Sequence, residues 1–448
     1  MKVNIDINRQ IVLFVCSPSL GLLDSWISIL IPLRKKLPRA QFIFIAPRTK
    51  LISEINLQSV LFQMANNVFD LVVFKSQSNI WLCSDTFKNA KKINSYSTIK
   101  IFHYGMRALE ELNFNSLRQL LSKIYMTTVS VICSKFLFEI NKIKKTKYLT
   151  LFDLYELDKP YNKDLHKIIS NHDNFSLIHG VNPRGIQHES KKKIIDAKKT
   201  KLFALSEREL EHYKNTYALN PDQMKVYGIP RHEKKWIENI LKKEDSELSD
   251  NKYIFLISRP ISTYLPYDKK KQFLEMIKIA AEKFDLKVVI KLHPKEETDK
   301  IFTEIFGQNR YKKNWEFSDK HPFVLGKNCE FAISFYSGVP IDLIILGVPS
   351  IELLDLKGIK EYDNEFSLRD SKGEPVFNLR YLNLIKGTSS YIEFERYIKE
   401  ILNDRNSIVD KLKKEYKKVF PVIENVNQLI VEEIYKNNSF KDCKDIKN

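Results

Sequence analysis

The stretch KVVIKLHPKEE, Lys287 to Glu297, decides how the second half of the chain is read. An apolar run ends on His293, and Pro294 disfavours helical geometry at the residue before it, so the backbone there is held extended. This pattern predicts a buried strand that presents an imidazole at its carboxyl end. Lys291 and Lys295 flank the ring and raise the local potential, which suits an anionic neighbour such as a diphosphate. Taken alone, the same letters serve equally well for a partly buried histidine in a turn.

A second segment changes that balance. In AISFYSGVPIDLIILGVPS, Ser334 ends a strand and Ser337 with Gly338 turns the chain into a helix. Pro340 suits a first helical turn, where its missing N–H costs nothing, and Gly347 marks the helix end. Hydroxyls and free amides at such a turn form an anion site, although serines there also serve as plain helix caps. Beside His293, the phosphate-site reading becomes the better one.

Outward from these segments, short apolar runs alternate with helical patterns along the whole chain. IVLFV from Ile11, the amphipathic SWISILIPLRKKL and QFIFIA from Gln41 make a parallel crossover unit. Further strands are expected at FDLVVF from Phe69, STIKIF from Ser97, VSVICS from Val129, FSLIHG from Phe175 and TKLFALS from Thr200. The pattern restarts with YIFLIS from Tyr253 and continues through KVVIKL, EFAISF and VPSIELL. At 448 residues the chain exceeds what one core usually organises, so two α/β domains are expected. The boundaries read as residues 1–241, a charged linker 242–252, a second domain 253–425, and a terminal helix with tail 426–448. Two such domains facing a central cleft place their sites at the carboxyl ends of the strands.

The first half adds LIHGVNPRG, where His179 ends a strand and Gly180 permits close approach; an unperturbed imidazole there is a candidate proton acceptor. His103 in FHYGM is a weaker case of the same kind. Arg231 in YGIPRH and Arg259 in LISRPIST follow strands and are candidate clamps for phosphate or carboxylate.

Composition and absences narrow the class. Lys plus Arg exceed Asp plus Glu by 73 − 55 = 18, a positive field that favours nucleotides, polyanions or anionic headgroups, with lysine-rich patches at 142–147 and 191–201. Five scattered cysteines with no C-x-x-C pair point to a reducing cytosol and to neither a zinc ribbon nor a disulfide framework. The start carries polar Asn4, Asp6, Asn8 and Arg9 ahead of its apolar run, unlike a signal peptide, and no run approaches membrane-spanning length. With only 12 glycines there is no G-x-G-x-x-G and no P-loop, and neither an Asp-x-Asp pair nor His/Cys metal spacing occurs. A metal-independent reaction without a resident cofactor is expected.

The ordered set GLLDSW, IHGVNPRG, YGIPRH, SRP, KLHP and SFYSGVPIDLIILGVPSIE resembles bacterial surface-polysaccharide transferases of GT-B fold. It is most similar to the sialic acid, polysialic acid and Kdo transferases with a His-Pro and a serine motif, and to CDP-glycerol glycerophosphotransferases. The resemblance implies a GT-B-like pair of Rossmann-like domains, the first receiving the acceptor and the second the nucleotide donor. It implies that His293 contacts the donor phosphate and that Ser334 and Ser337 bind the same phosphate; Gly338, Arg259, Lys291, Pro294 and Glu352 complete the expected donor site. It implies His179 as base; Arg184, Arg231, Asp24 and His103 are the other residues expected on the acceptor side. The sequence departs from both groups: the acidic motif that supplies the sialyltransferase base is not evident, and SFYSG replaces a more acidic DYSS-type segment.

The expected activity is inverting transfer of a sugar from a CMP-activated donor to an anionic or lipid-linked glycan, in the cytoplasm with peripheral contact at the inner membrane face. One alternative is transfer of a polyol phosphate from a CDP-linked donor. Another is a non-catalytic polyanion-binding protein; specific nucleic-acid recognition is not expected.

Overall fold

The computed structural model describes residues 5–6, 8–16, 21–53, 55–56, 59–76, 80–97, 116, 119–124, 127, 134–154, 165–166, 173–178, 180, 197–244, 252–296 and 300–437. Within them the strands form two separate sheets. The first contains β1 (Ile11–Val15), β2 (Gln41–Ala46), β3 (Leu71–Lys75), β4 (Trp81–Ser84), β5 (Tyr148–Phe152), β6 (Asp173–Leu177), β7 (Thr200–Ala204) and β8 (Met224–Val226). Their spatial order is β4-β3-β2-β1-β5-β6-β7-β8, parallel except for the β3–β4 pair. The second contains β9 (Tyr253–Ile257), β10 (Lys287–Lys291), β11 (Trp315–Phe317), β12 (Phe331–Ser334), β13 (Ser350–Leu353) and β14 (Lys386–Thr388). Its order is β11-β10-β9-β12-β13-β14, with each pair parallel.

The unbroken apolar runs of β1, β2 and β9 follow from this arrangement. Every residue of these strands is buried, as strands covered on both faces require. The helix Gly21–Lys36 covers one face through Leu22, Leu23, Trp26, Ile27, Leu30 and Leu33, and its last turn carries Arg34, Lys35 and Lys36, which complement the helix dipole. Trp26 and Phe14 meet edge-on with centroids 6.5 Å apart. Two expected strands, 97–102 and 129–134, fall almost wholly outside the described residues. Ser97 closes the helix Phe87–Ser97 and 98–102 lie outside the described residues; likewise 129–133 lie outside them, and Ser134 opens a 3-10 turn. Among the described residues, no helix is long and apolar enough to cross a membrane.

The two sheets are also tied together by contacts between residues distant in the chain. The helix Lys234–Lys243 leaves the first sheet, yet the helix Val426–Lys436 returns to it, where Asn427 accepts from Ser28 Oγ at 3.0 Å and Lys36 pairs with Glu432. One apolar cluster runs from Trp26 and Ile27 to Phe323, Ile341, Ile344, Leu412 and Tyr416 of the second half. Inside that interface Arg231 Nε meets Asp342 Oδ1 at 2.8 Å, and its NH1 donates to Ser25 Oγ at 2.9 Å. His232 contacts the same carboxylate at 2.6 Å through Nε2 and the Tyr416 hydroxyl at 2.8 Å through Nδ1.

Burial alone would raise the Asp342 carboxyl, but the Arg231 charge and the His232 hydrogen bond outweigh it and hold it down at about 2. Its folded value lies below its unfolded one, so its contribution is complete above the ordinary carboxylate range and is lost as pH falls through about 2. Asp342→Ala leaves Arg231 buried without its main partner and is expected to cost about 3–5 kcal/mol, measured by denaturant unfolding at pH 7. A cost below about 1 kcal/mol would mean that the pair is not buried as described.

Candidate functional site

In the second sheet the chain order reverses between β9 and β12, the place where an open α/β sheet forms a crevice outside its strand ends. The register sets which residues reach it. Ile257 pairs with Lys291 on one side and with Ser334 on the other, and Ser334 pairs with Glu352. The residues just past this edge are Ser258 and Arg259, Leu292 and His293, and Phe335 to Ser337. His293, Arg259, Ser334, Ser337 and Glu352, scattered in the sequence, thus come together along one edge.

His293 is half-buried. Its Nδ1 accepts the Lys295 N–H at 3.1 Å, which in a neutral ring puts the proton on Nε2. Burial, then the nearby charges of Arg259 and Lys295, push its pKa down to about 3, so the ring is neutral at physiological pH. It is a hydrogen-bond donor rather than a stored proton. Arg259 stacks on the Tyr336 ring, 4.5 Å from the centroid, and the Tyr336 hydroxyl meets Ser262 Oγ at 2.8 Å.

Ser334 is 1% exposed, and its hydroxyl has no protein partner within the described residues. Ser337 Oγ accepts the N–H of Val339, the first residue of the helix Val339–Ile345, at 3.2 Å; its own O–H remains a donor. Gly347, at φ 75°, closes that helix with the bonds Gly347 N–H to Ile344 and Val348 N–H to Leu343, both 3.0 Å. A side chain at Gly338 would meet only open space.

Other expected residues are engaged elsewhere. Lys291 Nζ donates to the carbonyls of Asp319 and Lys320 at 3.0 and 2.8 Å, holding the turn after β11. Arg231 is committed to the interface described above. Asp24 Oδ1 faces His321 Nε2 across the domain boundary at 3.1 Å. His179, His103 and Arg184 lie outside the described residues, and Pro294 is exposed.

Three residues escaped the sequence reading. Glu296 binds back to the His293 N–H at 2.8 Å, and Lys270 meets Glu296 at 2.5 Å. His321 begins a second His-Pro pair, at the start of the helix Pro322–Lys327; its Nδ1 accepts the Phe323 N–H at 3.2 Å. The repeated dipeptide was a signal for His321, whereas Lys270 sits within a lysine run that distinguishes none of its members.

Neither a protein-family model nor a curated protein matches the chain. Among solved structures, the UDP-GlcNAc 2-epimerase of Methanocaldococcus jannaschii, in complex with UDP-GlcNAc and UDP, is similar at TM-score 0.51 and 13% identity, over 96% of this chain and 99% of that one. The wall teichoic acid polymerase TagF is similar at TM-score 0.53 and 11% identity, over 98% and 90% of the two chains. The Neisseria meningitidis UDP-GlcNAc 2-epimerase bound to UDP-GlcNAc gives TM-score 0.50 and 11% identity, over 96% and 100%. At these identities the likeness is one of fold. The chain has the two-domain, Rossmann-like α/β architecture of GT-B enzymes, as its motifs predict. The sialic acid, polysialic acid and Kdo branches of the resemblance are finer than this likeness reaches.

Glu352 yields a direct check on the polarity of the edge. Burial pushes its carboxyl up to about 8 against the pull of Arg380, and Oε2 has no partner within the described residues. Its folded value is the higher one, so its stabilising contribution is complete below the ordinary carboxyl range and is lost as pH rises through about 8. Glu352→Gln, neutral at every pH, is expected to gain roughly 1–3 kcal/mol relative to wild type between pH 5 and pH 8 in denaturant unfolding. No change in that difference would mean that the carboxyl ionises freely.

Proposed function

We propose that the protein is a metal-independent transferase. In this reading it holds a cytidine-activated sugar against the second domain and passes the sugar, with inversion, to a hydroxyl of a bacterial surface glycan. The observation that carries the proposal is the parallel register that brings Arg259, His293 and Ser334 to the strand-order reversal of the second sheet. A nucleotide phosphate at that edge would meet a cation, a neutral imidazole N–H and a buried hydroxyl, donors aimed at the charge that develops on a leaving group.

In the reaction the acceptor oxygen bonds the anomeric carbon while the bond from that carbon to the phosphate oxygen breaks. The electron pair leaves with CMP, whose phosphate is stabilised by His293, Arg259, Ser334 and the Ser337 O–H. The hydroxyl proton passes to a base on the first domain, for which the sequence offers His179. A low pKa keeps His293 from acting as an acid in the free protein, which favours charge stabilisation over protonation as its role. The formal charge of +18 suits an anionic or lipid-linked acceptor and contact with the inner membrane face.

A second reading is transfer of a polyol phosphate from a CDP-linked donor. It is favoured by the similarity to TagF, a wall teichoic acid polymerase whose structure has been solved with CDPG, at TM-score 0.51 and 12% identity. Both reactions release CMP, but only this one leaves a phosphodiester in the product. The polyanion-binding alternative differs from both in its steep salt dependence and its indifference to His293.

Thermal-shift titration with CMP, CDP, UDP and GDP, with and without EDTA, tests the proposal. Stabilisation by a cytidine nucleotide that EDTA leaves intact is expected, with affinity falling about 10-fold or more in His293→Ala, the effect of losing a hydrogen bond to a charged group. Stabilisation by UDP or GDP alone would replace the donor, and no response to any nucleotide would overturn the enzyme reading.

A further inference from the structure

Three donors converge on one buried carboxylate beside the proposed phosphate site. Glu296 Oε1 accepts from Ser258 Oγ at 2.7 Å and from Lys270 Nζ at 2.5 Å, and Oε2 accepts the His293 N–H at 2.8 Å. Lys270 Nζ also donates to the Arg259 carbonyl at 2.8 Å. The two charged side chains are 3% and 4% exposed, so neither is a solvated surface charge. Together they staple the loop that bears Arg259 to the turn that bears His293.

The turn is closed twice more. Glu296 N–H donates to the His293 carbonyl at 2.8 Å, and the Lys295 N–H reaches the ring at Nδ1. The ring bond depends on the turn, because Lys295 lies between the two residues whose backbone and side chain close it. A related ring bond occurs at His321, the N-cap of the helix Pro322–Lys327: its Nδ1 also accepts the N–H two residues on, and its Nε2 faces a carboxylate oxygen of Asp24 at 3.1 Å. That is the kind of acceptor a phosphate oxygen supplies.

We infer that Glu296, anchored by Lys270, is a positioning residue that fixes His293 as an Nε2–H donor toward a phosphate oxygen. The effect on ligand binding rests on the reading of His293 as a phosphate ligand; the effect on the ring does not. The ring nitrogen that bonds a fixed donor determines which tautomer exists. Glu296 therefore sets the chemistry of His293 without touching substrate, and through Lys270 it ties that setting to the backbone of Arg259.

Two double variants test this: Lys270→Met with Glu296→Gln, and Lys270→Met with Glu296→Leu. Both remove the charges as a pair, so neither strands a buried ion. Only glutamine keeps an acceptor for the His293 N–H. Nitrogen NMR of histidine-labelled protein reads the tautomer directly, and CMP titration reads the binding consequence. Wild type and the glutamine variant are expected to show the Nε2–H form, with CMP affinities within about 3-fold. The leucine variant is expected to show both tautomers and roughly 10-fold weaker CMP binding, a difference of about 1.4 kcal/mol. A single Nε2–H tautomer in the leucine variant, or its loss in the glutamine variant, would overturn the inference, and the glutamine arm decides alone should the leucine variant not fold. A tautomer change in the leucine variant without CMP binding by any form, wild type included, would uphold the positioning and refute the cytidine-nucleotide reading.

Discussion

The Asp342 carboxylate, buried between the two sheets, is the interaction on which the rest of the architecture depends. It lies in the first turn of the helix that follows the serine segment, and it is met by Arg231 and His232 from the chain leaving the first domain. Arg231 also reaches Ser25 on the opening helix, and His232 reaches Tyr416 in the helix Arg405–Val419. Buried charges of this sort contribute little through attraction alone, since the cost of desolvation offsets it. Their effect is geometric: a carboxylate held by two buried, directional partners admits few relative placements of the two domains. Whatever occupies the cleft is presented with edges already in fixed relation.

The chemistry of the second edge follows from the same economy of charge. Burial first, then the charges of Arg259 and Lys295, keep the ring neutral, so it keeps only its directional N–H. The formal positive charge at the edge comes from Arg259 and Lys295, while the histidine contributes aim. Beneath it, Ser334 and the protonated Glu352 carry polarity into the sheet without ionic charge.

Much of this was legible in the sequence because it is written locally. A strand that ends on His-Pro, a serine-glycine turn followed by proline, and runs such as IVLFV and YIFLI are short patterns with short-range causes. What escaped has causes distant in the chain. β5, YLTLF, lies beside β1 at the centre of the first sheet, but it alternates around Thr150 and follows a lysine-rich turn, so its complete burial was not apparent. The three-residue strands β8, β11 and β14 are too short to establish a period. Lys270 and Glu296 read as surface charges until the fold places each in the other's shell, and Arg231 reads as a free clamp until Asp342 arrives from the far side of the linker.

The return of the helix Val426–Lys436 to the first domain bears on biosynthesis. Ribosomes deliver the opening helix hundreds of residues before the segment whose Ile430, Val431 and Ile434 complete the apolar cluster around it. Until then the first domain exposes that seam, and Ser28 lacks its partner in Asn427. Domains generally fold in order as they emerge from the ribosome. Here the helix Val426–Lys436 must close the first domain, so a nascent chain stalled within the second domain would present an unfinished apolar face to chaperones.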